Sequence, residues 1–110
     1  MSDNAHREAA TYIENVKTYD SGADEAHVQK IVNHLGVVLM NNDAKLVSCS
    51  DLSERERIRD GCAFKKLGMS ADAAEKAIEE VCQSMGEERN KSRVTFYYML
   101  AKNAGMLDKL

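Results

Sequence analysis

Val94 to Ala101 constrains this chain more than any other stretch: across Val94-Thr95-Phe96-Tyr97-Tyr98-Met99-Leu100-Ala101, only Thr95 is conventionally polar. A helix built from it is apolar on nearly every side, so other elements must enclose it. The spacing predicts a helix over about 90–104, opening near Asn90 and closing at Gly105, and places it at the centre of the fold. The longest apolar stretches, Leu35–Met40 and Phe96–Ala101, fall far short of the roughly twenty residues that span a bilayer. No membrane association is expected.

The surrounding elements read as helices as well. The chain has no proline and few aromatics, and it is rich in Ala, Glu, Lys, Leu and Met, which favour helix over strand. Ala5, Ala9, Tyr12, Ile13 and Val16 recur at spacings of three and four and predict a first helix from about Asn4 to Tyr19, broken by Ser21-Gly22. Asp24 suits the cap of a second helix whose face carries Val28, Ile31, Val32, Leu35 and Leu39, with Asn41-Asn42-Asp43 as its stop. Asp43–Ser48 is expected to be a short helical turn that pins Leu46 and Val47 into the core.

Ser50-Asp51 reads as the cap of a third helix. Its pattern is imperfect, because Ile58 and Cys62 share one face while Ala63, Phe64 and Leu67 point elsewhere; a bend at Gly61 reconciles them. Gly68 closes this segment and Ser70 caps a fourth helix, where Ala74, Ala77, Ile78, Val81, Cys82 and Met85 repeat at helical spacing. The expectation is a single all-α domain over residues 1–110, a bundle of about five helices, with 1–4 and 107–110 frayed. A chain of 110 residues is long enough for one core and too short for two.

Charge narrows the functions. The formal net charge is -3, and by segment it runs -3 over 1–30, 0 over 31–50, +1 over 51–70, -4 over 71–90 and +3 over 91–110. A mildly acidic chain is a poor default partner for nucleic acid, whose affinity rests on clustered positive charge. The N-terminus has no apolar core of the kind a secretory signal needs. Cys49, Cys62 and Cys82 are odd in number and spaced by 13 and 20, a pattern that fits neither a paired disulfide framework nor a two-by-two zinc site. A reducing cytoplasm is the expected location.

Cys82 lies on the apolar stripe of its helix and reads as a buried structural thiol, as does Cys62. Cys49, between Ser48 and Ser50 and just ahead of a helix, is the candidate reactive thiol. His27 and His34 stand seven residues apart on one helix, about 10.5 Å at 1.5 Å per residue, too far to share a metal. Alternating Glu54-Arg55-Glu56-Arg57, with Arg59, reads as a solvated, salt-bridged surface. Arg89, Asn90, Lys91 and Arg93 combine basic side chains with free amides at a helix start and form the candidate anion site. Tyr97 and Tyr98 read as core, with at least one hydroxyl needing a polar partner. No catalytic residue, metal site or cofactor is implied.

Leu35-Gly36 through Asn41-Asn42-Asp43, Leu46-Val47-Ser48-Cys49-Ser50-Asp51, Lys65-Lys66-Leu67-Gly68 and Arg89-Asn90-Lys91-Ser92-Arg93-Val94-Thr95-Phe96-Tyr97-Tyr98 resemble a bacterial family of small proteins of unknown function. The resemblance spans nearly the whole chain and implies a compact, all-helical bacterial protein with no established activity to carry over. Where that family often has a proline after Ser-Asp, Leu52 stands here, which bears on where the third helix starts. The function expected is a non-enzymatic binding or protein-interaction module, working through an unknown protein partner or self-association. A phosphate or nucleic-acid module at Arg89–Arg93 and a thiol-based redox protein using Cys49 are the alternatives.

Overall fold

In the computed structural model, residues 9–36, 39, 46–86 and 91–107 are described. Among them the chain forms α1 (Ala9–Tyr19), α2 (Glu25–Leu35), β1 (Leu46–Val47), α3 (Leu52–Ile58) continued by a π-helical segment (Arg59–Lys66), α4 (Ala71–Ser84), β2 (Lys91–Ser92) and α5 (Arg93–Asn103). The all-α reading holds. Residues 1–8, 37–38, 40–45, 87–90 and 108–110 lie outside the described set, and with them the expected Asn4 start, the Asn41-Asn42-Asp43 stop and most of the frayed ends. Leu107, expected to be frayed, is partly buried against the core.

Helix α5 is central. Every residue from Arg93 to Ala101 is buried, and α1, α2, α4 and the π-helical segment all pack on it. Tyr98, Phe96 and Leu100 are among the largest side chains fully removed from solvent. The helix begins at Arg93 rather than near Asn90 because Lys91 and Ser92 are spent in a strand. Its end follows the expected glycine: Gly105 has a φ of 70°, the Met106 amide donates to the Ala101 carbonyl at 2.8 Å and the Gly105 amide to the Lys102 carbonyl at 2.9 Å. This pair of bonds satisfies carbonyls that the last turn would otherwise orphan, and it needs a residue that tolerates positive φ.

The capping residues also behave as their chemistry requires. Asp24 accepts from the Ala26 amide at 2.8 Å, Asp51 from the Ser53 amide at 2.9 Å, and Ser70 from the Ala73 amide at 3.3 Å. Each satisfies one donor of a helical first turn. Helix α2, however, ends at Leu35, short of the expected stop, because Gly36 takes a φ of 51° there. Leu39 is nevertheless buried.

Two expectations are corrected. Leu46 and Val47 are not a helical turn; they pair antiparallel with Lys91 and Ser92, Leu46 opposite Ser92 and Val47 opposite Lys91. The residues bury as expected, Val47 fully and Leu46 partly, but extended backbone lets the Leu46 carbonyl face Arg93. Where a bend at Gly61 is expected, the chain instead runs through the π-helical segment Arg59–Lys66. Its looser i→i+5 turn aligns Ile58, Ala63 and Leu67, all fully buried, on one line that a regular helix would split.

Polar groups on α5 find partners on the elements around it. The Thr95 hydroxyl donates to Asn15 on α1. The Tyr98 hydroxyl donates to Asp20 Oδ2 at 2.7 Å, and Lys102 Nζ stands 3.6 Å from Asp20 Oδ1. The Tyr98 bond holds the Asp20 carboxyl below its usual range, helped by the Gly22 amide and Lys102. A depressed carboxyl stabilises the fold above the ordinary carboxylate range, and that contribution is lost as pH falls through its lowered folded value. Tyr98→Phe should therefore cost about 1 kcal/mol in urea unfolding near neutral pH, with the gap from the parent chain closing as the buffer is taken into the acid range.

Candidate functional site

The antiparallel bridge between β1 and β2 brings Arg93 to the foot of α3. Arg93 is 8% exposed and its partner Glu54 7%. Arg93 Nη2 donates to Glu54 Oε1 and to the Leu46 carbonyl at 3.3 Å, and Nη1 reaches the Tyr97 hydroxyl at 3.4 Å. The guanidinium also lies 5.7 Å from the Tyr97 ring centroid, within cation–π range. One cation thus fastens a strand carbonyl, a helix carboxylate and a core tyrosine.

This clasp changes the reading of two residues. Glu54 belongs to the core and not to the solvated surface of its neighbours, although Arg57, whose side chain is 77% exposed, still approaches it at 3.6 Å. Arg93, expected at an anion site, is buried and its charge is neutralised from inside. Lys91 is partly buried in β2 opposite Val47. Arg89 and Asn90, the remaining members of that group, lie outside the described residues.

Above the clasp, α3 and the π-helical segment run beside α4 and enclose a groove of about 580 Å³. Arg55 Nη2 donates to Glu79 Oε1 at 2.7 Å, and Gln83 Nε2 donates to Glu79 Oε2 at 3.1 Å. Arg59 donates through Nη1 to Glu75 Oε1 at 2.8 Å and through Nε to Asp60 Oδ1 at 2.9 Å. These bonds hold the Glu79 carboxyl, through Arg55 first, and the Asp60 carboxyl, through Arg59 first, below their ordinary values. The surface reading of Arg55, Arg57 and Arg59 is retained, with the added fact that two of them reach across to another helix. At the groove's mouth stands Leu52, 73% exposed and the one large apolar side chain left open among the described residues.

Cys49 and Cys82 are joined in a disulfide, with a Cα–Cα distance of 5.9 Å. The bridge ties the Ser48–Asp51 turn to the last turn of α4. This corrects the reading of Cys82 as a buried free thiol and of the cysteines as unpaired: Cys82 sits at the edge of the α4 stripe, only partly buried, where its sulfur reaches out to the turn. Cys49 is likewise partly buried against the core. The histidines behave as boundary residues, His27 partly buried and His34 exposed. Among the described residues, no three His, Cys, Asp or Glu side chains gather to hold a metal.

Spacing alone hides the partners. Glu54 stands 39 residues from Arg93 and Cys49 33 from Cys82, and neither pair leaves a local pattern. A hint was available for Leu52, an apolar residue after a capping Asp with no place on the α3 stripe. The site is made of ion-paired side chains, one open leucine and a cysteine bridge.

The class is thus a small all-α protein with a buried ion-pair clasp under an open, charge-lined groove. The chain belongs to the family described as protein of unknown function DUF2853, which matches residues 11–108 of the 110. No curated protein matches it.

Removing one partner of a buried pair strands the other's charge, and the cost is about 3 to 5 kcal/mol. Glu54→Gln should therefore lower stability by about 3 kcal/mol in chemical denaturation. Glu54→Leu combined with Arg93→Met should lose less than Glu54→Leu alone, which a double-mutant comparison at one protein concentration reads directly.

Proposed function

We propose that the chain is a non-enzymatic interaction module, bacterial and cytoplasmic, that binds a second copy of itself through the α3–α4 face. The observation that supports this is Leu52, 73% exposed beside a groove with walls of opposite sign. The α3 wall carries Arg55, Glu56 and Arg59, a net of +1; the α4 wall carries Glu75, Lys76 and Glu79, a net of -1.

A neutral face with separated signs is complementary to itself under one symmetry. In a face-to-face dimer the two-fold axis lies in the interface. With that axis along the groove, the basic wall of one copy meets the acidic wall of the other; with it across the groove, like walls meet. Charge therefore selects the first arrangement, and a four-charge network gains where an isolated exposed pair does not. Leu52 supplies apolar surface that the monomer leaves in water, and burying a leucine is worth about 1.5 to 3 kcal/mol.

No helix among the described residues is long and apolar enough to cross a membrane. Sedimentation velocity over a concentration series should show a reversible monomer–dimer equilibrium. Leu52→Glu should shift it to monomer, and Arg55→Glu should weaken it while Arg55→Glu with Glu79→Arg restores it. A parent chain that stays monomeric throughout the series overturns the reading.

A further inference from the structure

The Cys49–Cys82 bridge joins two segments that the rest of the fold already anchors separately. On one side, β1 is held by its pairing with β2, and α3 by the Asp51 cap and the Glu54–Arg93 clasp. On the other, Val81 and Met85 bury α4's last turns. Between the anchors, the Ser48–Asp51 turn is held only loosely by its described bonds: the Asp51 amide to the Ser48 carbonyl at 3.3 Å and the Ser48 and Ser50 hydroxyls at 3.3 Å. Neither cysteine belongs to the fully buried core, and both pack against its edge. A small thiol can reach a partly buried sulfur, whereas a disulfide within the core would be shielded.

We infer that Cys49 and Cys82 form a reversible modification site for low-molecular-weight thiols of the glutathione class, and that the bridge's state sets the order of the turn from which α3 starts. A small thiolate attacks one sulfur and forms a mixed disulfide, while the other cysteine leaves as thiolate and takes a proton from solvent. A second small thiol, as thiolate, displaces the first cysteine, which is protonated in turn. Two electrons pass from the small thiols to the bridge, giving two protein thiols and one small-molecule disulfide; the reverse exchange recloses it. In a reducing compartment disulfides are rare and mostly transient, catalytic or sensing, so a closed bridge there reports oxidation. Opening it frees the turn that leads into Leu52 beside the groove, and only this last consequence rests on the dimer reading.

The test uses the full chain with Cys62→Ser, so that the count of reactive thiols is unambiguous, at concentrations too dilute for self-association. In glutathione buffers stepped from oxidising to reducing, maleimide labelling should pass from no thiol to two, and return when oxidised glutathione is restored. Amide exchange over the Ser48–Asp51 turn should quicken on the order of tenfold on opening while α3, α4 and α5 stay unchanged, as expected of a local unfolding unit. The inference is overturned if the bridge stays closed in reducing buffer, if it opens with no local change, or if the helices melt with it. A failed dimer in sedimentation leaves these readouts untouched, so the two readings fall separately.

Discussion

Burying Arg93 through Ala101 on all sides gives α5 no solvent face on which to place a polar group, and a buried polar group without a partner costs more than its hydrogen bond returns. Three polar side chains on that stretch therefore fix the position of something outside it. Thr95 holds Asn15 and so α1; Tyr98 holds Asp20 at the end of α1; Arg93 holds Leu46 and Glu54, and through them β1 and α3. Apolar contact drives the enclosure, but it is non-directional and would tolerate sliding. The hydrogen bonds supply register.

The clasp explains why α3 stands where it does. Its anchor, Glu54, lies one turn from Ile58, and Ile58 begins the line that continues through Ala63 and Leu67. A regular helix could bury Glu54 and Ile58 together, but it would carry Ala63 off the line by its end. The π-helical turn from Arg59 to Lys66 absorbs the extra residue, so a single face serves both the ion pair and the core. The same wide turn leaves Arg59 beside α4, where it meets Glu75. The groove's geometry thus follows from where the buried residues must point.

The helices were legible in the residues because packing one face against a core imposes a period that any reader of the chain can see. Ala74, Ala77, Ile78 and Val81 on α4 are the plainest case, and the caps Asp24, Asp51 and Ser70 mark boundaries through their own short hydrogen bonds. What escaped has no period. Two-residue strands such as Leu46–Val47 and Lys91–Ser92 are too short to alternate, and the early end of α2 hangs on the backbone of one glycine, Gly36. The site escaped more fully. Glu54 among Arg55, Glu56 and Arg57 carries every local mark of a surface residue, and only Arg93, distant in the chain, makes it a core one. Cys49 was singled out for its setting, but a bridge is a relation between two residues, and the α4 stripe assigned Cys82 to the wrong side of the helix's edge.

Two cross-links of different chemistry converge on the stretch from Leu46 to Glu54. One is the ion-pair clasp, buried in the interior; the other is the bridge between two half-buried cysteines at the edge of the core. Reagents that cleave a disulfide leave a carboxylate–guanidinium pair intact, so the inner fastening persists when the outer one opens. The hydrophobic line through Ile58, Ala63 and Leu67 persists with it. What loosens is confined to the few residues between strand and helix, the ones that set the angle at which Leu52 meets solvent. Having both lets a change at the rim leave the interior undisturbed.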